Sequence, residues 1–67
     1  MQHEPLSVSV LEACRMVGIG RTRIFEEIAA GRIEARKYGR RTLILVASLQ
    51  AWLDALPRWA SGHDEDH

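Results

Sequence analysis

A chain of 67 residues has room for one domain, and at that size roughly 60% of the unfolded surface can be buried, which excludes a deep catalytic cavity. Hydrophobic residues at 46% and charged ones at 27% exclude both a disordered chain and a membrane-embedded one. The formal net charge is zero, so an anionic partner has to be met by the arrangement of charge and not by its total.

Residues 1–5 read as an N-terminal extension, residues 6–57 as the folded domain and residues 58–67 as an acidic, disordered tail. The first helix is predicted over residues 10–17. Ser9-Val10-Leu11-Glu12 has the capping-box form, in which a serine hydroxyl and a glutamate carboxylate satisfy free N–H groups at a helix start. Val10, Ala13, Cys14 and Val17 follow as one apolar stripe, and Gly18 supplies the left-handed stop. Gly18-Ile19-Gly20 is a short connection with an apolar centre, suited to two helices that meet steeply. The second helix is predicted over residues 21–30, with Ile24, Phe25 and Ile28 on its inner face and Gly31 closing it.

Residues 33–38 and 41–45 read as two short strands around Gly39-Arg40, where glycine permits the positive φ of a tight hairpin. The run Thr42-Leu43-Ile44-Leu45-Val46 does not alternate, which points to a strand leading directly into packed structure. Leu49, Trp52, Leu53 and Leu56 restore the helical stripe, so a third helix is predicted over residues 47–56, ended by Pro57. The expected core is Val10, Ala13, Val17, Ile24, Phe25, Ile28, Leu49, Trp52 and Leu53. Truncation of Phe25, as a core aromatic, is then expected to unfold so small a domain. Trp59, beyond Pro57, is expected to fold back onto the bundle, the other reading being a self-association patch.

The longest apolar run, residues 43–47, is far short of a membrane span, and no basic-then-apolar leader opens the chain, so the cytoplasm is the expected compartment. Cys14 alone can make neither an internal disulfide nor a zinc site and reads as a small buried hydrophobe. His63 and His67 beside Asp64, Glu65 and Asp66 read as a solvated acidic tail and not as metal ligands, and His3 lies near a terminus. No cofactor is called for. There is no nucleophile with a neighbouring base and no carboxylate pair in an apolar setting, so an enzyme is not expected.

Charge along the chain is polarised. From Arg15 to Arg41 stand eight basic residues against three acidic ones, a net +5, while the flanks hold six acids against Arg58, a net −5. Four of the basic residues (Arg36, Lys37, Arg40 and Arg41) fall within six positions of the hairpin, beside Thr42.

The order helix, glycine turn, helix, basic hairpin, helix is carried by specific residues. These are Glu12-Ala13, Val17-Gly18-Ile19, Arg21, Ile24-Phe25, Ile28, Ala30-Gly31, Gly39-Arg40-Arg41, Leu49 and Ala51-Trp52-Leu53. With this pattern, residues 6–56 resemble the excisionase family of MerR-like winged helix-turn-helix domains. The resemblance implies a mainly α fold with a two-stranded wing, a second helix that enters the DNA major groove, and a hairpin on the adjacent minor groove or backbone. It implies a role in site-specific recombination, with an integrase as partner, or in transcription regulation; the residues leave the two open. The sequence departs from the family pattern at Gly20, which caps without a hydroxyl, at Glu26-Glu27 in place of a frequent basic residue, and at Glu34 in place of a frequent proline.

Helical geometry points the same way. With Ile24, Phe25 and Ile28 inward, Thr22, Arg23, Glu26 and Ala30 face outward. Arg23 can donate twice to guanine, Glu26 can accept from cytosine N4, and Thr22 can meet a phosphate or a thymine methyl. Arg21, at the positive end of the helix dipole, suits a phosphate. The candidate DNA contacts are therefore Arg21, Thr22, Arg23, Glu26, Arg36, Lys37, Arg40, Arg41 and Thr42. One module covers few base pairs, so cooperative self-association on double-stranded DNA is expected, through contacts between the basic middle of one copy and the acidic flank of the next. The competing reading is an antitoxin-like interaction module whose basic hairpin meets an acidic protein.

Overall fold

The computed structural model describes residues 4–59. The elements in chain order are β1 (Ser7–Val8), α1 (Val10–Val17), α2 (Arg21–Ala29), β2 (Ala35–Tyr38), β3 (Arg41–Leu45) and α3 (Val46–Asp54). Three helices thus pack with a small antiparallel sheet. Among the described residues, no helix is long and apolar enough to cross a membrane.

Ser9 starts α1 as its spacing requires: its hydroxyl accepts the Glu12 N–H at 3.0 Å. Among the described residues only this serine half of the capping box is made, and the Glu12 carboxylate lies instead 3.8 Å from the Arg15 guanidinium. Gly18 stops the helix at φ +76°, a backbone conformation that side chains disfavour, and its N–H donates to the Cys14 carbonyl at 2.7 Å. Gly20 then caps α2 without any side-chain bond.

The sheet runs in the order β1-β3-β2, both pairings antiparallel. Strand β1 was not expected from the sequence. Two residues cannot display an alternation, and Ser7–Val8 is a strand only because the free edge of β3 receives it, Ser7 opposite Leu45 and Val8 opposite Ile44. Tyr38 pairs with Arg41, so the connection is Gly39-Arg40 alone; with φ +61° at Gly39 and no positive φ at Arg40, it follows the type II′ pattern. Strand β3 passes into α3 with no intervening loop, Leu45 serving as the N-cap without a side-chain hydrogen bond. Two polar contacts brace that corner: the Val46 N–H donates to the Leu6 carbonyl at 3.0 Å, and the Ser48 hydroxyl accepts from the Glu34 N–H at 2.7 Å.

Val10, Ala13, Ile24, Ile33, Ile44, Leu49 and Trp52 form the buried core, so every element contributes directly or, in the case of β1 and β2, through half-buried Val8 and Ala35. Half-buried Cys14, Val17, Ile19, Ile28 and Ala35 pack around them. Two expected core members are displaced. Phe25 is 40% exposed and Leu53 is 41% exposed, while Ile33 and Ile44 take up the interior they were expected to fill. The expectation that losing Phe25 unfolds the domain is corrected accordingly. Trp59 is 71% exposed, so it does not fold back onto the bundle. The proposed tail contacts of residues 60–67 and the position of His3 lie outside the described residues.

Candidate nucleic-acid interface

The orientation of α2 decides which side chains it can offer a partner. Its inward positions are Ile24, Glu27 and half-buried Ile28, spaced i, i+3 and i+4. At about 100° per residue this turns the helix by about 50° from the face anticipated with Phe25 inside. Glu27 faces inward because its carboxylate has partners there. It accepts from the Trp52 indole Nε1 at 3.0 Å and from two nitrogens of the Arg32 guanidinium, Nε and Nη2. The Arg32 hydrogen bond holds the Glu27 pKa below its usual value; burial opposes the shift and the Trp52 hydrogen bond adds to it. The carboxylate is thus the joint between the C-terminal end of α2, the loop that follows and α3. Sequence reading took Glu27 with Glu26 as acids in place of a frequent basic residue and gave it no place in the core. The signal that separates them is its i+3 spacing from Ile24, with an arginine five residues later to neutralise it.

The outward face of α2 is Thr22, Phe25, Glu26 and Ala29, flanked by Arg23 and Ala30 on one side and Arg21 on the other, all of them exposed. Four anticipated residues, Arg21, Thr22, Arg23 and Glu26, are therefore presented together, and Phe25 joins them. Arg23 lies 3.3 Å from the Glu26 carboxylate. Both side chains are more than half exposed, so the pair is worth about 0–1 kcal/mol and can open to meet base edges at little cost. The Arg21 guanidinium lies over the Phe25 ring, 5.5 Å from its centroid.

In the wing, strand register splits the basic residues that the sequence groups together. Arg36 pairs with Leu43 and Tyr38 with Arg41, so these four share the outer face of the hairpin; Lys37 pairs with Thr42 on the face that carries Ala35 and Ile44 toward the core. The Lys37 ammonium donates to the Thr42 hydroxyl at 3.3 Å and to the Arg40 carbonyl at 3.4 Å, which ties the tip of the hairpin. Arg36 is held 3.1 Å from the Glu34 carboxylate. Arg40 and Arg41 are exposed and have no carboxylate partner among the described residues.

The charge map follows from these contacts. Each acid of the basic middle is matched by its own arginine: Glu26 by Arg23, Glu27 by Arg32 and Glu34 by Arg36. Arg15 is matched by Glu12. What remains of the excess among the described residues is Arg21 at the start of α2 and Lys37, Arg40 and Arg41 in the wing, two sites on separate elements.

The profile of the helix-turn-helix domain matches residues 8–57, from β1 to just beyond α3. The chain belongs to the helix-turn-helix family. That family is a DNA-binding one, and the three helices with their antiparallel hairpin make this member a winged helix-turn-helix. No curated protein and no solved structure matches the chain. In this helix-turn-helix protein α1 and α2 are the paired helices, Gly18-Ile19-Gly20 is the turn, and the hairpin of β2 and β3 is the wing.

Proposed function

We propose that this helix-turn-helix protein is a non-enzymatic binder of duplex DNA, with α2 in the major groove and the wing on an adjacent backbone or minor groove. The observation that carries this reading is the sorting of charge. Every acid in the basic middle has an arginine partner, and the cations with no carboxylate partner among the described residues stand at the start of α2 and in the wing, where phosphates would neutralise them. Arg23, Glu26 and Thr22 supply base contacts in this reading, and Arg21, Arg36, Lys37, Arg40, Arg41 and Thr42 supply contacts to the backbone.

The role proposed is that of an excisionase-type architectural factor that shapes DNA for a site-specific integrase, on the strength of the resemblance carried by Val17-Gly18-Ile19 and Gly39-Arg40-Arg41. A small transcription regulator of the same fold is the alternative outcome. A gel shift with duplex DNA over a salt series tests the binding itself: affinity is expected to fall steeply as salt rises. An antitoxin-like module that meets only an acidic protein would give no such shift. A circular-permutation assay on a bound site then tests the architectural role, which requires a bend.

A further inference from the structure

The outward stripe of α2 holds one large side chain to which hydrogen bonding and phosphate contact give no task. Phe25 is 40% exposed. It sits between Thr22 and Glu26 on a stripe that continues to Ala29, with the i, i+3, i+4, i+7 spacing of one helix face, opposite Ile24, Glu27 and Ile28. The core does not claim it, because the inward position beside Ile24 belongs to Glu27, fastened to Trp52 and Arg32. One edge of the ring's surroundings is nevertheless fixed: the Arg21 guanidinium lies 5.5 Å from its centroid, within cation–π range. The result is an apolar, directed surface in the middle of the face that would enter the major groove. Among the base edges in that groove one group is apolar, the 5-methyl of thymine.

We propose that Phe25 is a specificity-determining residue that packs against a thymine 5-methyl and keeps Arg21 aligned on the neighbouring phosphate. The inference rests on the DNA-binding reading above. In the free protein the ring and the methyl each expose apolar surface to water, and docking removes both surfaces at once. Stacking also restricts the Arg21 side chain before DNA arrives, so less rotamer freedom is lost when it meets the phosphate. Phe25 thereby acts directly on a base and indirectly, through Arg21, on the backbone.

The test uses the full chain to select duplexes from a random library. In the tightest duplex each thymidine is then replaced in turn by deoxyuridine, which removes the methyl alone. At one position the parent protein is expected to lose about fourfold in affinity, the worth of one buried methyl-sized group. The same replacement should cost Phe25→Ala nothing. Phe25→Leu, apolar but without a ring, should keep the methyl sensitivity, and Arg21→Ala should weaken the parent more than it weakens Phe25→Leu. If a thermal melt shows that the alanine variant does not fold, the Arg21 comparison carries the test, and an Arg21→Ala effect equal in the parent and in Phe25→Leu overturns the inference. Indifference of the parent to every replacement overturns the inference, as does equal sensitivity in parent and Phe25→Ala. A selection that enriches no duplex, although the protein shifts duplex DNA in a gel, overturns this inference alone, whereas no salt-sensitive shift with any duplex overturns the DNA-binding reading and this inference with it.

Discussion

Glu27 is an acid in a buried position, and such a group is stable as an ion only when its charge and lone pairs are satisfied. Here the Arg32 guanidinium supplies the charge and the Trp52 indole a second donor, while both partners come from elements that must be fixed relative to α2. Removing the charge is therefore expected to loosen the recognition helix from α3 as well as to lower stability. Because the folded pKa of Glu27 is depressed, its contribution is complete above the ordinary value of 4.5 and is lost as pH falls through the lower folded value. Glu27→Gln should accordingly melt well below the parent at neutral pH, and the two melting points should converge in acid, below about pH 4.5. A gap between them that stays constant with pH would mean that the carboxylate's charge does not matter. Arg23, by contrast, is ion-paired among the described residues with its exposed neighbour Glu26. Arg23→Ala should leave the melting point unchanged and relax sequence preference, costing roughly 1–3 kcal/mol at its cognate base and little on random duplex; competition binding with site and random DNA separates the two effects.

The wing and α2 are different kinds of element and should fail differently. Arg40 and Arg41 lie at the tip of a hairpin whose own stability comes from the β3 pairings and the Gly39 turn, not from those two side chains. Arg40→Ala with Arg41→Ala should leave the fold intact, weaken binding to every duplex, and flatten the slope of log affinity against log salt by about two, one per lost phosphate contact. A double variant with the parent's slope would place the wing away from the DNA. Most of this division was legible beforehand. Ser9, Gly18, Gly39 and Pro57 punctuate the chain at positions where backbone chemistry leaves few choices, and the helices and hairpin lie within a few residues of their predicted bounds. The core was less legible for a stated reason. Apolar spacing on α2 admits two faces, one with Phe25 inside and one with Glu27 inside, and the partners that select between them, the guanidinium of Arg32 and the indole of Trp52, 25 residues away, lie outside the helix. Ile33, read as the first residue of a strand over 33–38, lies in the loop before β2, and Ile44 stands in a strand that does not alternate, so neither was placed in the expected core, yet both are interior. Ile44→Ala is expected to cost about 2–5 kcal/mol, read from chemical denaturation, whereas Phe25→Ala should cost far less; the reverse order would contradict the core as described.

Over the whole molecule, one nine-residue recognition helix and one short wing reach few base pairs, so a single copy should bind weakly and useful occupancy calls for several copies on adjacent sites. The polarity of the chain suggests how copies would lie. The exposed cations of one copy, in the wing and at the start of α2, are opposite in sign to the exposed acids of the flanks, Glu4 and Asp54 among the described residues. A contact between unlike surfaces is head-to-tail: it does not close into a dimer and can repeat along a duplex. Each such contact is exposed, worth about 0–1 kcal/mol and screened by salt, too little to hold free copies together but enough to add affinity once DNA has aligned them. The expectation is a monomer in free solution and a gain in affinity per site as direct repeats are added, with the gain shrinking at high salt. A symmetric dimer joined through α3 and exposed Trp59 would behave otherwise, sedimenting as a dimer without DNA and preferring inverted half-sites. Sedimentation of the free chain, followed by titration onto duplexes with one, two and three direct repeats, distinguishes the two, and a stable free dimer or an affinity per site that does not change with repeat number would rule out the head-to-tail arrangement.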